Sequence, residues 1–152
     1  MTAEELLRRY AAGERDFSGV NLYGADFNDC DLSEINLSNA NLGETEWDGA
    51  NLSGANLTGS ILQSSDLNNA NLTGANLTRT RLQDSALSGT NLTDACVEGT
   101  QFGGEPYLKG ANLTGVDLSK ASIYLPGGID NPRIAGAILC DTTLPDGGNW
   151  TL

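Results

Sequence analysis

The sequence has no histidine, three cysteines and one methionine, and its 8 basic residues are outnumbered by 20 acidic ones. Without histidine there is no imidazole to serve as general base or metal ligand. A net charge of −12 leaves no basic footprint for phosphates, which argues against direct nucleic-acid binding. No apolar run approaches the roughly 18 residues of a membrane-spanning helix. The opening MTAEELLRRY has no signal-type apolar stretch, so a cytoplasmic chain that stays off the membrane is expected. No P-loop and no dinucleotide-binding glycine motif is present. Carboxylates are plentiful, yet no pair is set apart by a different environment. These absences predict a chain that is not an enzyme and takes no cofactor or metal. Apolar residues make up 39% of the 152 and charged residues 18%, both below globular averages. That composition would allow disorder were it not for a strict internal order.

From Phe17 an apolar residue recurs every five positions through Leu22, Phe27, Leu32 and onward to Val97 and Phe102. The series then slips by one and resumes at Leu113, Leu118 and Ile123. Two residues before each centre sits a small residue, such as Ala50, Ala55, Ser60, Ser65 or Ala70. Asn or Asp usually precedes the centre, Ser or Thr often follows it, and Gly, Asn or Asp is common two places after it. A period of five fits neither the 3.6 of a helix nor the 2.0 of a strand. Two inward positions in five, followed by a residue tolerant of positive φ, describe a short extended side and a corner. Sides of this kind close into coils, and coils stack at about 4.8 Å with their backbones paired.

The copies ANLSG (50–54) and ANLTG (55–59 and 70–74) resemble the pentapeptide-repeat family, written A(D/N)Lxx, over about residues 15–125. The resemblance implies an all-β fold, a right-handed quadrilateral parallel β-helix with four pentapeptides per coil. Twenty-one repeats then give about five coils and a rod about 25 Å long. The ending AILCDTTLPDG (137–147) is similar to the close of many cyanobacterial members. Three segments are expected: an N-terminal helical cap over 1–13, the β-helix over 14–125, and a C-terminal cap over 126–152. The slip falls in GGEPYLKG (103–110) and reads as a bulged corner or loop. In the tail, Ala137 with Leu139 and Thr142 with Leu144 point to part of another coil.

Rod ends invite edge pairing and need covers. Thr2 and Glu5 fit a capping box, Leu6, Leu7, Tyr10 and Ala11 form an apolar stripe, and Gly13 fits a stop. A helix over about 3–12 lying across the first coil is predicted. Positions twenty apart stack, so Asp31, Asn51, Asn71, Asn91 and Asn112 form one polar ladder and Asn36, Asn56 and Asn76 another. Trp47, the largest core member, should strain or widen its coil. Cys30 takes an inward slot, Cys96 faces outward and Cys140 lies in the tail. Cys30 and Cys96 are about three coils apart, roughly 14 Å, too far for a disulfide. Cys96 with Cys140 is the one pairing left open, as a staple from the tail to the last coils.

No basic residue lies between Arg15 and Arg79. Four-sided stacking gathers Asp26, Asp29, Glu46, Asp48 and Asp66 on one face, with Asp31, Glu34 and Glu44 near its edges. Such a face keeps a stackable rod soluble, or it docks a basic protein partner through salt-sensitive attraction. The expected role is a non-enzymatic, rigid protein-interaction scaffold. The resemblance implies an alternative, because some members mimic duplex DNA and bind DNA gyrase, dimerising through their C-terminal ends. Here the charge surrounds the whole rod, and the Gly- and Pro-rich tail has no evident apolar dimer patch. A monomer is therefore favoured over an end-to-end dimer.

Overall fold

The structure, a computed structural model, describes residues 1–103, 106–125 and 127–145. Its body is a right-handed quadrilateral β-helix. Parallel bridges join residues twenty apart, from Asp16 with Asn36 to Arg81 with Gln101, so four pentapeptides make each coil. Each side of a coil contributes a single bridged residue, so regular strands are few. Among the described residues only β1 (Gln101–Gly103) and β2 (Ser122–Ile123) are longer, and they pair in parallel. We number the sides by their first pentapeptides: side 1 from residues 15–19, side 2 from 20–24, side 3 from 25–29 and side 4 from 30–34.

The repeat motif follows from the backbone donors, which must all be paired if the coils are to stack. In residues 50–54 the Ala50 N–H closes the corner onto Trp47 O at 3.0 Å. Asn51 N–H reaches back one coil to Cys30 O at 2.9 Å. Leu52 and Gly54 N–H reach forward to Asn71 O at 2.8 Å and Thr73 O at 2.9 Å. The fifth donor, Ser53 N–H, is taken by the Asn51 side chain at 3.2 Å. This is why Asn or Asp precedes the centre: its Oδ1 supplies the acceptor that the neighbouring coils do not. The residue two after the centre has positive φ, as at Gly54 (68°) and Asn39 (57°), so Gly, Asn and Asp recur there.

Centre residues from Phe17 to Leu118 fill a continuous core. Small polar residues at the second inward position are also buried, and each has a partner. Thr80 Oγ1 donates to Leu57 O at 2.8 Å, Thr90 Oγ1 to Leu67 O at 2.7 Å and Thr100 Oγ1 to Leu77 O at 2.6 Å. Trp47 is fully buried and stacks on Phe27, with ring centroids 4.5 Å apart. Its indole N–H donates to Thr45 Oγ1 at 2.6 Å. Next to it, one corner is bonded differently. Thr45 N–H bonds Ser65 Oγ at 3.2 Å, where corners such as those at Ala40 and Ala50 bond the preceding centre's carbonyl.

The helix α1 (Ala3–Ala11) closes the N-terminal end. Thr2 Oγ1 accepts Glu5 N–H at 3.2 Å, as the capping box requires. Leu6 is buried in the core, with Ala3, Leu7 and Tyr10 against it. Ala11, assigned to that stripe from the sequence, is exposed. Tyr10 OH donates to Ser33 O at 2.8 Å, and Arg9 pairs with Glu14 while lying over the Phe17 ring.

The loop expected over 103–110 is shorter than the sequence implied. Bridging resumes at Tyr107, now twenty-one residues after Ala86, and Leu108 is a fully buried centre. A second lengthening follows Leu125. Asn112 pairs with Ile138 and Asp117 with Thr143, twenty-six residues on. Ile134, Leu139 and Leu144 thereby continue sides 3, 4 and 1, with Ala137 and Thr142 inward as the spacing implied. Residues 146–152 of the expected C-terminal cap lie outside the described residues.

Candidate functional site

Side 3 carries the acidic residues singled out in the sequence, and the structure brings all five together. Asp26, Glu46 and Asp66 pair in one column, with about 4.8 Å between neighbours. Asp29 and Asp48 lie beside that column, Asp29 N–H bonding Asp48 O at 2.9 Å. Asp26, Asp29, Glu46 and Asp48 are exposed and Asp66 is half-buried. Glu44 stands at the corner of sides 2 and 3, Asp31 on side 4 and Glu34 at the far corner of side 4, and all three are exposed.

The local reasons for these residues differ. Asp26 and Asp66 close their corners, accepting Asn28 N–H and Asn68 N–H at 2.9 Å each. Glu46 and Ala86 do not. There the next N–H is taken by the preceding coil: Asp48 N–H bonds Asn28 Oδ1 at 2.6 Å, and Ser88 N–H bonds Asn68 Oδ1 at 2.8 Å. Asp48 in turn accepts Asn69 Nδ2 at 2.8 Å. Asn in place of Asp would serve every one of these bonds, so the fold does not call for the negative charge.

Sides 1 and 4 hold the expected amide ladders. Asn51 Nδ2 donates to Asp31 at 2.9 Å, Asn71 to Asn51 at 3.1 Å and Asn56 to Asn36 at 3.1 Å. Further along, Thr73, Thr78, Thr93 and Thr114 hydroxyls donate to the Oδ1 of Asn71, Asn76, Asn91 and Asn112 at 2.6–2.7 Å. The backbone register continues past that point, but the amide acceptor is already engaged.

Cys30, Cys96 and Cys140 are free thiols. Cys96 stands on side 1 opposite Asn76. Cys140 stands on side 4, two coils beyond the corner that leads into Cys96, its carbonyl accepting Gly115 N–H. Two coil steps are about 9.6 Å, beyond the roughly 7 Å Cα limit, so the expected staple does not form. Cys30 is half-buried, and burial pushes its thiol up, with Asp26 and Asp29 adding to the shift. Among the described residues no cluster of His, Cys, Asp or Glu is placed to hold a metal ion. No helix among them is long and apolar enough to cross a membrane.

One feature on this face forms at the slip over 103–110, which the sequence marks as a loop without showing what it packs beside. At the corner between sides 2 and 3 an open groove of about 540 Å³ is lined by Asp84, Ser85, Phe102, Pro106, Tyr107, Tyr124 and Arg133. The seven are brought together by the two lengthened corners, which no fixed-period reading places in register.

A family profile described as Pentapeptide repeats matches in eight copies over residues 16–46, 35–74 and 70–104. A pentapeptide repeat protein from the cyanobacterium Cyanothece 51142, Rfr23, is 24% identical, covering 98% of this chain and 100% of that one at a TM-score of 0.51. A pentapeptide repeat protein from Nostoc PCC 7120 is 31% identical over 81% of this chain and 94% of that one, at a TM-score of 0.41. QnrB1, a plasmid-mediated fluoroquinolone resistance protein, is 21% identical over 77% of this chain and 63% of that one, at a TM-score of 0.49. Among curated proteins no sequence matches the chain.

Proposed function

The chain belongs to the pentapeptide-repeat family, and from that premise we propose that it acts as a rigid, non-enzymatic scaffold whose acidic side 3 docks a basic protein partner. The observation that carries this reading is the column Asp26, Glu46, Asp66 with Asp29 and Asp48 beside it. Charge is concentrated there although the corner bonds need only an amide or carboxamide oxygen. A fixed acidic array speeds encounter with a basic surface and loses its pull as salt rises.

The test compares the native chain with an Asp26→Asn, Glu46→Gln, Asp48→Asn variant, each immobilised in a lysate and eluted with rising salt. The expected result is a protein retained by the native chain at low salt and absent from the variant. Identical retention by both would overturn the role of side 3. Gyrase subunits among the retained proteins would bring in the DNA-mimic alternative and call for a supercoiling assay.

A further inference from the structure

Side 3 changes character along the rod. Its outward column runs Asp26, Glu46 and Asp66, and then Ala86 and Tyr107. Where the acids end, the groove begins. Phe102 and Pro106 are buried in its wall, while Tyr107 and Tyr124 stand 50% and 63% exposed. The Arg133 guanidinium lies over the Tyr107 ring, 4.2 Å from its centroid, which stiffens that wall. Beside the groove, Gln83 packs against Gly103, where a Cβ would come within 3.3 Å of the Gln83 Cα. Its amide donates to Gln101 Oε1 at 2.6 Å, but its own Oε1 is buried without a hydrogen-bond partner. An aromatic-walled groove and a carboxylate, Asp84, on its rim thus adjoin the acidic column.

We propose that this groove seats a proline-rich, basic segment of the protein partner. Its prolines lie against Tyr107 and Tyr124, and its Lys or Arg side chains run from Asp84 onto Asp66 and Glu46. The assignment rests on the docking role of side 3 proposed above. Polyproline II is preformed, so it docks on aromatic-lined grooves at little ordering cost. Its charge complements the carboxylates that continue from the groove. The segment required is short: Tyr107 stands three coil steps from Glu46, about 14 Å, or about five residues of polyproline II at 3.1 Å each.

The experiment is fluorescence anisotropy at low salt with two labelled peptides of equal charge, four repeats of Pro-Pro-Lys and four of Gly-Ser-Lys. The proline peptide is expected to bind about ten-fold tighter, the scale of two aromatic contacts. A Tyr107→Ala, Tyr124→Ala variant should bind both peptides alike with its melting temperature kept, and the corresponding Phe pair should retain the preference. Equal binding of the two peptides by the native chain, lost in the Asp26→Asn, Glu46→Gln, Asp48→Asn variant, would overturn the groove and leave the acidic docking side standing. Binding of neither peptide would overturn both readings. A proline preference unchanged in the Tyr→Ala pair would also overturn the groove.

Discussion

Replacing Thr45 by Val tests the polar network that lets Trp47 sit inside a narrow rod. Thr45 Oγ1 accepts the Trp47 indole N–H at 2.6 Å and donates to Leu42 O at 2.5 Å. Valine keeps the shape and removes both bonds. Leu42 O keeps the Ser65 hydroxyl at 2.8 Å, but the indole N–H is left without its acceptor in a fully buried place. Stranding a buried donor costs about 1–3 kcal/mol, so a loss of about 2–3 kcal/mol is expected with the second bond included. Thr80→Val is the control. It removes one bond to Leu57 O, which keeps Ser60 Oγ at 2.7 Å and Ser60 N–H at 3.0 Å. With no orphan left behind, its expected cost is about 1 kcal/mol. Urea unfolding followed by circular dichroism, at equal slope, gives both numbers. In a Trp47→Phe background, which has no indole donor, the cost of Thr45→Val should fall to that of the control. Equal costs of the two substitutions in the native background, or an unchanged cost in the Phe background, would refute the reasoning.

Three other outcomes are expected. The N–H groups of Ser18 and Ser33 hold the Asp16 and Asp31 carboxyls below the usual carboxylate range. Groups so lowered add stability that is complete above the unfolded value and lost as pH falls through the folded one, so the loss should fall below about pH 4. Asp16→Asn with Asp31→Asn keeps both acceptors without titrating and should flatten that acid limb; an unchanged pH dependence of the urea midpoint would refute it. Gly74 has φ 64° and nothing within 4 Å of an added Cβ, so Gly74→Ala should cost about 1–2 kcal/mol from backbone strain alone and Gly74→Asn less. Equal urea midpoints for the two variants would tell against this. Three thiols per chain should react in denaturant with or without prior reduction, and a lower count without reductant would reveal a disulfide.

Much of the rod was legible because stacking turns sequence spacing into position. Residues twenty apart share a side, so the spacing alone places Asp26, Glu46 and Asp66 together. Leu108 was not legible, since it stands six residues after Phe102 and a strict five-residue count steps over it. Ile134 was hidden for the same reason, behind a lengthening after Leu125 whose size nothing in the local sequence sets. The groove needs both insertions at once and is invisible to any reading that holds the period fixed. The pairing of Cys96 with Cys140 failed because the tail adds sides to the end of the rod, carrying Cys140 away from Cys96 where a folded-back tail would have brought it near.

The division of labour among the outward positions explains how so regular a rod can carry a specific surface. On sides 1 and 4 the residue before the centre mostly accepts the last backbone N–H of its repeat, as Asn36, Asn51, Asn91 and Asn112 do, which favours Asn or Asp there, with Cys96 an exception on side 1. On side 3 that duty passes in places to the residue after the centre, Asn28 or Asn68, acting on the coil above. Glu46 and Ala86 are thereby released from it, while Asp26 and Asp66 still accept their own N–H, and the column runs through Asp26, Glu46, Asp66, Ala86 and Tyr107. Like charges one coil apart repel by about 1 kcal/mol or less in water. A buried centre such as Leu67 contributes roughly 1.5–3 kcal/mol, so the core carries the acidic column with margin. Backbone chemistry therefore neither requires these carboxylates nor forbids them, and their place in one column is a property of the surface that the rod presents.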